Sequence, residues 1–391
     1  MSKPTFKPNR EVAPMQLVNA LTAVMQRCVP LEFTNTRITP HEAWHVLSYA
    51  SVNRQTLESA CAALPEAPSG NRLREVVMPA LPPLAKLQGQ LNRVLRQQLH
   101  PSLWKKPRAL RMAIDLVLIP YHGEPLAQAD EVRRGEAKSN TTHFHGYATI
   151  SIVHDKRRYT VALIFVRLGQ SMEDVVRQLL NRVKRLKFQV RRVYLDAGFC
   201  SVAVLKTLRR RNMSYLLPLP VRGRSGGVRT LFTRPNSYWG FYTLHSPNDG
   251  PLTVKAVVVR RYLKGRYAKH GVKWFAYAVA GLPRGTLPAQ VFQWYRHRFG
   301  IETSYRQMNH VRARTTSRSP VLRLLLVGLA FILTNLYITL RQTFTLDADH
   351  TSPKTDLPVS LDRLATALRL AIETLFGSLG SWRYRQPVVI S

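Results

Sequence analysis

The order of apolar segments between Leu110 and Leu219 constrains this chain more than any other feature. Met112-Ala113-Ile114-Asp115-Leu116-Val117-Leu118-Ile119 is a short, almost unbroken apolar run, as expected of a strand covered on both faces. Residues 147–153 and 159–166 read as a hairpin joined by His154-Asp155-Lys156-Arg157. Ser171 then caps a helix with Val175, Leu179, Val183 and Leu186 on one face. A strand over 190–195, a helix over 202–211 and a strand over 215–219 follow. Three strands and then helix–strand–helix–strand predict an α/β fold, a mixed sheet with helices on its faces.

The flanks read differently. Residues 1–105 are expected to form a helical N-terminal domain. Thr39-Pro40-His41-Glu42 supplies an N-cap, a proline at the first helical position and a capping-box glutamate. That helix is expected to reach about Ser51, with Asn53 capping a second one over 54–64. Two short helices around a tight turn suit a helix-turn-helix or an ordinary helical hairpin. A further helix over 84–99 gathers Leu84, Leu87, Leu91, Val94 and Leu95 on one face.

Residues 220–285 interrupt the core pattern with Arg222-Gly223-Arg224-Ser225-Gly226-Gly227 and strand-like runs at 252–262 and 272–279, a β-rich insertion. The core, 106–219, is expected to resume over 286–346, with a long helix over 288–309 and an apolar helix from Val321. Segment 321–340 is apolar enough to span a membrane. It contains Arg323 and Asn335 and lacks flanking loops of the membrane kind, so a buried core helix is expected. Residues 347–391 read as a polar linker to Pro358 and a terminal amphipathic helix marked by Leu361, Leu364, Leu368 and Leu375.

Charge narrows the function. Lys+Arg number 58 against 22 Asp+Glu, a net charge of +36, while 45% of residues are apolar. That apolar content excludes a disordered polycation, and a globular surface so basic points to nucleic acid. Three dispersed cysteines, Cys28, Cys61 and Cys200, exclude a disulfide scaffold and fit a reducing compartment. The first fifteen residues, MSKPTFKPNREVAPM, have no apolar core, so no secretory signal is expected.

Acids are scarce, so their positions are informative. Asp115 lies inside an apolar strand, where an unpaired carboxylate costs several kcal/mol. Asp196 ends the next core strand in Leu195-Asp196-Ala197-Gly198-Phe199, where Gly198 is expected to let the backbone turn away. Glu302 sits in the helix over 288–309. Tyr295, Arg298, Arg306 and Asn309 lie at −7, −4, +4 and +7 from it, so all five are expected to share one helical face. A magnesium site accounts for such acids, because Mg²⁺ binds through a few carboxylates and substrate phosphate. Two such ions ~3.5–4 Å apart can serve an in-line displacement. Arg298 and Tyr295 would then hold a phosphate. The competing account pairs Asp115 and Asp196 with arginines and lets Glu302 bridge Arg298 and Arg306.

Here a resemblance emerges. Tyr295-x2-Arg298-x3-Glu302 resembles the Y-x2-R-x3-E-x6-K signature of a group of DDE insertion-sequence transposases. Asp196-Ala197-Gly198-Phe199 is similar to their D-x-G-[FY] block, and Asp115 falls where their first aspartate lies. The resemblance spans roughly residues 110–340, including a β-rich insertion before the glutamate helix. It implies a ribonuclease-H-like core, whose element order the chain shares, and cut-and-paste transposition by end cleavage and 3′-OH strand transfer. It implies that Asp115, Asp196 and Glu302 bind two Mg²⁺ or Mn²⁺ ions, with Tyr295 and Arg298 positioning phosphate. The implied partners are double-stranded DNA, as terminal inverted repeats and target, and a second copy in a synaptic homodimer. A cytoplasmic, nucleoid-associated place in a prokaryote, without membrane, follows from the same resemblance. The chain departs from the signature at Asn309, where lysine is expected; Arg306 and His310 stand nearby. Members of the group can form a hairpin at the cut end with an aromatic holding a flipped base. Tyr238, Trp239, Phe241 and Tyr242 suit stacking or the insertion's core, with Trp239 the candidate for the flipped base.

Other clusters have their own readings. Lys184-Arg185-Leu186-Lys187 and Arg209-Arg210-Arg211 end helices, where cations complement the macrodipole. Arg312, Arg314 and Arg318, with Arg222, Arg224 and Arg229, are the expected DNA-backbone contacts. His41-Glu42-Ala43-Trp44-His45 matches HExxH, the spacing of a zinc peptidase, although Glu42 is already expected in the cap and no third ligand is recognisable. A catalytically idle or domesticated DNA-binding relative is the remaining alternative. His143 and His145 lack a ligand-spaced partner and are expected to be structural or to face phosphate.

Overall fold

The structure is a computed structural model and describes residues 12–104, 109–124, 132–153, 158–263, 271–296, 298, 300–347 and 359–378. The chain forms two compact units, Met1–Val94 with Met308–Ser391, and Leu95–Gln307.

The first unit begins with helices α1 (Pro14–Cys28), α2 (Pro40–Val52), α3 (Leu57–Ala62), α4 (Gly70–Ala80) and α5 (Leu84–Gln97), which runs into the second unit. Glu42 closes the expected capping box: its Oε2 accepts from the Thr39 amide at 2.6 Å, and the Glu42 amide donates to Thr39 Oγ1 at 3.2 Å. The second cap departs from expectation. Thr56, not Asn53, accepts from the Ser59 amide at 3.1 Å, because the Asn53 side chain donates to the Tyr49 carbonyl and finishes α2. Arg54 makes the intervening turn at φ 56°. Helix α4, capped by Ser69, has no counterpart in the sequence reading.

The second unit is built on one nine-stranded sheet. Its strands are β1 (Leu110–Pro120), β2 (Arg133–Lys138), β3 (Thr141–Ile152), β4 (Thr160–Val166), β5 (Val190–Leu195), β6 (Tyr215–Pro218), β7 (Tyr238–Ser246), β8 (Gly250–Leu263) and β9 (Gly271–Ala280). The order is β2-β3-β1-β5-β6-β9-β8-β7, with β4 also paired to β3. Strands β1, β5 and β6 run parallel and the other pairs antiparallel. The mixed sheet and the helices α6 (Met172–Arg185) and α7 (Val202–Arg210) agree with the sequence reading. The expected hairpin loop 154–157 lies outside the described residues.

The strands within 220–285 extend the core sheet: β9 pairs with β6 at Leu216↔Val279 and carries β8 and β7 outward. The physical reason is the free edge of β6, whose backbone groups need partners. Strands β2 and β7 escaped the sequence reading, because one is charged and exposed and the other mixes aromatics with glycine and threonine.

Helix α8 (Pro288–Arg296) covers one sheet face, packing Val291, Phe292 and Tyr295 onto Ala113, Tyr194, Leu216, Val257, Tyr277 and Val279. The expected single helix over 288–309 is broken. Helix α9 (Gly300–His310) starts anew at a glycine, a poor helix former, and Arg298 between the helices turns inward to 6% exposure. Arg298 makes two ion pairs from this position.

The first unit ends with α10 (Pro320–Asp347) and α11 (Leu361–Phe376). Residues 320–343 are long and apolar enough to cross a membrane, yet 83% of the apolar window is buried, as expected of a core helix. A Cβ at Gly328 would lie 2.6 Å from Leu91 Cδ1, so glycine permits the close approach of α10 and α5. In α11 Leu361, Leu364 and Leu368 are buried, but Leu375 is 41% exposed and Phe376 points inward instead. The rest of the expected linker, 348–358, lies outside the described residues.

Candidate active site

Strand register brings the first two acids together. Strands β1 and β5 pair in parallel at Ala113↔Tyr194 and Ile114↔Leu195, and Asp115 and Asp196 are the next residues on each. Both continue the alternation of Ala113 and Tyr194, which face α8. Asp196 leaves the sheet through a 3₁₀ turn, Ala197–Phe199, and makes no side-chain cap to it. The backbone turns away at Gly198 as expected, without a left-handed conformation there. A Cβ there would meet nothing within 4 Å, so the space beside Gly198 is open.

Arg298 joins the two carboxylates. Its Nη1 donates to Asp115 Oδ2 and its Nη2 lies by Asp196 Oδ1, each at 3.3 Å. The Arg298 and Asp115 side chains are only 7% and 10% exposed, while that of Asp196 is 44% exposed. The other Asp115 oxygen accepts the Leu116 amide at 2.9 Å. Two carboxylates around one guanidinium leave a net negative site with hard oxygen donors, one buried and one open to solvent. Such a donor set fits a divalent cation of the magnesium type.

Tyrosines frame this cluster. Tyr295 donates to the Leu195 carbonyl at 3.4 Å, and the Arg298 guanidinium lies 5.3 Å from its ring centre. Burial holds the Tyr295 phenol well above its ordinary pKa; Arg298 opposes this and Asp196 adds to it. Tyr295 and Arg298 thus reach the acids, but from the end of α8 and the turn after it rather than from one helix with Glu302. Position 302 lies in the first turn of α9, and its side chain is outside the described residues.

Tyr305 was missed by the sequence reading. Its hydroxyl is 2.8 Å from Thr149 Oγ1, and Thr149 is the register partner of Asp115 across β1 and β3. Burial first, and then Asp115, raise the Tyr305 phenol well above its ordinary pKa, so it stays neutral. The available signal was its place three residues beyond Glu302, on the same helical face.

The expected backbone contacts are dispersed. Arg306 is exposed on α9, and Asn309 accepts from Arg312 Nε at 3.2 Å. Arg314 and Arg318 are exposed in the extended segment before α10, where the Arg314 amide donates to the Gln55 carbonyl at 3.0 Å. Arg222 and Arg224 are exposed, and Arg229 folds back to donate to the Gly223 carbonyl. Cys200, four residues beyond Asp196, is pushed up to about 11 by burial, against the pull of Arg222.

Trp239 is committed elsewhere. Its indole N–H donates to the Thr286 carbonyl at 3.1 Å, Lys255 Nζ sits 4.5 Å from its ring centre, and it packs against the core. The exposed aromatic of β7 is Phe241, at 70%. The HExxH segment is likewise occupied, since the Glu42 carboxylate is bound in the cap of α2. Among the described residues no three His, Cys, Asp or Glu side chains are grouped to hold a metal ion, so HExxH gains no third ligand. His145 is buried within β3 against Tyr121 and Phe165, a structural place.

The sequence matches the family described as "Transposase DDE domain" over residues 106–336. No curated protein matches. Among solved structures the chain is similar to a piggyBac transposase synaptic complex with hairpin DNA, determined by cryo-EM. The TM-score is 0.54 at 14% identity, covering 93% of this chain and 77% of that one. At that identity the likeness is one of fold.

Proposed function

The chain belongs to the transposase DDE domain family, and from that premise we propose that it moves an insertion sequence by cut-and-paste transposition, cleaving the element's ends and joining the freed 3′-OH to target DNA. One observation carries the assignment of the site: Asp115 and Asp196, distant in sequence, meet on the neighbouring interior strands β1 and β5 around Arg298. Glu302, at the start of the helix that follows Arg298, is the third carboxylate in this reading.

Asp115, Asp196 and Glu302 would hold two Mg²⁺ or Mn²⁺ ions, which when bound activate a water or 3′-OH and stabilise the leaving oxygen. Asp115 is held in orientation by the Leu116 amide and Arg298, and its burial keeps its charge unscreened. Arg298 offsets the mutual repulsion of the aspartates and, lying between them, offers a guanidinium fork to the scissile or neighbouring phosphate. Tyr295 holds the end of β5 through the Leu195 carbonyl, keeping Asp196 in register.

The spacing Tyr295-x2-Arg298-x3-Glu302 supports membership of the Y-x2-R-x3-E-x6-K group, with Asn309 replacing the lysine and Arg306, Asn309 and Arg312 standing on or beside the same helix. Residues 1–105 are proposed to recognise the terminal repeats, and Arg222, Arg224, Arg229, Arg314 and Arg318 to contact DNA backbone, as the net charge of +36 supports. Phe241, not Trp239, is the residue proposed to stack on an extruded base, because its ring is exposed. A synaptic homodimer on DNA, at the nucleoid of a prokaryotic cell, completes the reading.

The test is cleavage of labelled element-end DNA in Mg²⁺ or Mn²⁺ by the wild type and by Asp196→Ala. Metal-dependent cleavage confined to the wild type is expected. Cleavage by neither, or equal cleavage by both, rejects the enzymatic assignment.

A further inference from the structure

We propose that Tyr305 and Thr149 form a positioning pair that sets how the glutamate helix presents position 302 to the two aspartates. The inference rests on the reading of Glu302 as the third carboxylate.

The break after Arg296 raises a physical problem. A helix continuous with α8 would inherit its rotation and axial register from α8, which is anchored on the sheet through Val291, Phe292 and Tyr295. Helix α9 is a separate element that begins at Gly300, so its rotation and register are not fixed by α8 alone. Its first turn carries position 302, so a shift of one residue, about 100° of rotation, would change the direction in which that position faces.

The Tyr305–Thr149 contact is an anchor of α9 on the sheet, beside the buried Ser304 and Met308. The two hydroxyls lie 2.8 Å apart. Thr149 faces Asp115 across β1 and β3 in direct register, so their side chains leave the same face of the sheet with Cβ atoms about 4.5–5.5 Å apart. Position 305 is three residues from 302, on the same face of α9. One hydrogen bond thus ties the strand beside Asp115 to the helical face that carries Glu302. The phenol brings no charge to a site already holding two carboxylates and a guanidinium, so it can fix geometry without competing for a cation.

The test uses the full-length protein and Mn²⁺ as the probe, with binding read by electron paramagnetic resonance and thermal unfolding read alongside. Tyr305→Phe keeps the ring and removes only the hydroxyl; Thr149→Val is close to isosteric. Each is expected to weaken Mn²⁺ binding about tenfold, the scale for residues that orient metal ligands, with an unchanged unfolding temperature. The double variant should bind as the single variants do, because the two hydroxyls act as one unit. Glu302→Ala is the reference. If Glu302→Ala weakens Mn²⁺ binding and Tyr305→Phe does not, or if the two hydroxyl deletions add, the positioning pair is overturned while the third carboxylate stands. If Glu302→Ala binds Mn²⁺ like the wild type, the underlying reading fails and takes the pair with it.

Discussion

Asp115 and Asp196 stand on neighbouring parallel strands, each one residue beyond the last paired step, Ile114↔Leu195. The hydrogen-bond ladder therefore sets their separation, and Arg298 reports it by reaching both at 3.3 Å. One acid is buried and the other is open to solvent, so the pair has an inner and an outer member.

That asymmetry separates two substitutions. Asp115→Ala removes the buried carboxylate paired with the Arg298 guanidinium, and breaking a buried pair costs about 3–5 kcal/mol. Asp196→Ala removes a half-exposed carboxylate and should change stability by less than about 1 kcal/mol. Both should abolish DNA-end cleavage. Urea denaturation of the two variants checks the first statement and cleavage assays the second; equal destabilisation would contradict the inner and outer roles.

The insertion offers a second contrast. Trp239→Ala removes an indole hydrogen bond to Thr286, a cation–π partner of Lys255 and packing against the core, so it should destabilise the protein by about 3 kcal/mol or more. Phe241→Ala takes away an exposed ring and should leave the unfolding temperature where it was. If Phe241 stacks on an unpaired base, the same change should weaken binding of an unpaired or hairpin end by about 1–3 kcal/mol. Calorimetry and DNA-binding titrations separate the two effects.

Packing of the long apolar helix gives a third. A β-carbon at position 328 meets Leu91, itself fully buried, at 2.6 Å. Gly328→Val should cost about 1–3 kcal/mol through overpacking. A Leu91→Ala change in the same chain should return part of that loss, and a double-mutant cycle in urea measures the recovery.

The histidine at the end of HExxH predicts a pH effect on stability. His45 lies beside Phe376 with its pKa below the ordinary 6.5, chiefly because burial disfavours the imidazolium; His41 adds to this and Glu42 opposes it. As pH falls below about 6.5 the unfolded chain takes up a proton that the folded chain refuses, so this contribution to stability declines. The decline ends once the pH passes the folded value. His45→Gln should flatten this part of the profile in chemical denaturation between pH 8 and 5; an unchanged slope would assign it to other groups.

Much was legible in the chain because it depends on neighbours in sequence. The apolar run around Asp115, the helix behind Ser171 and the capping box of Thr39 and Glu42 are local patterns, and each element formed where its residues dictate. The two aspartates stood out for the same reason, as charges at places where strand residues are otherwise apolar. The helix bearing Glu302 was misread because local preference does not reveal a separate start at Gly300 beside Arg298, whose partners lie far away in sequence. Likewise, the aromatic cluster of β7 gave no sign of which ring would be exposed, since that depends on the strand and helix packed behind it.

Sequence by itself determined most of the core elements and the basic character, and it singled out Asp115 and Asp196, because these follow from periodicity and composition over short windows. Only the tertiary structure decided that Asp115 and Asp196 share one guanidinium and that Tyr305 meets the strand beside Asp115. Those contacts arise from strand register and helix docking, and both are set by long-range pairing whose partners no local window contains.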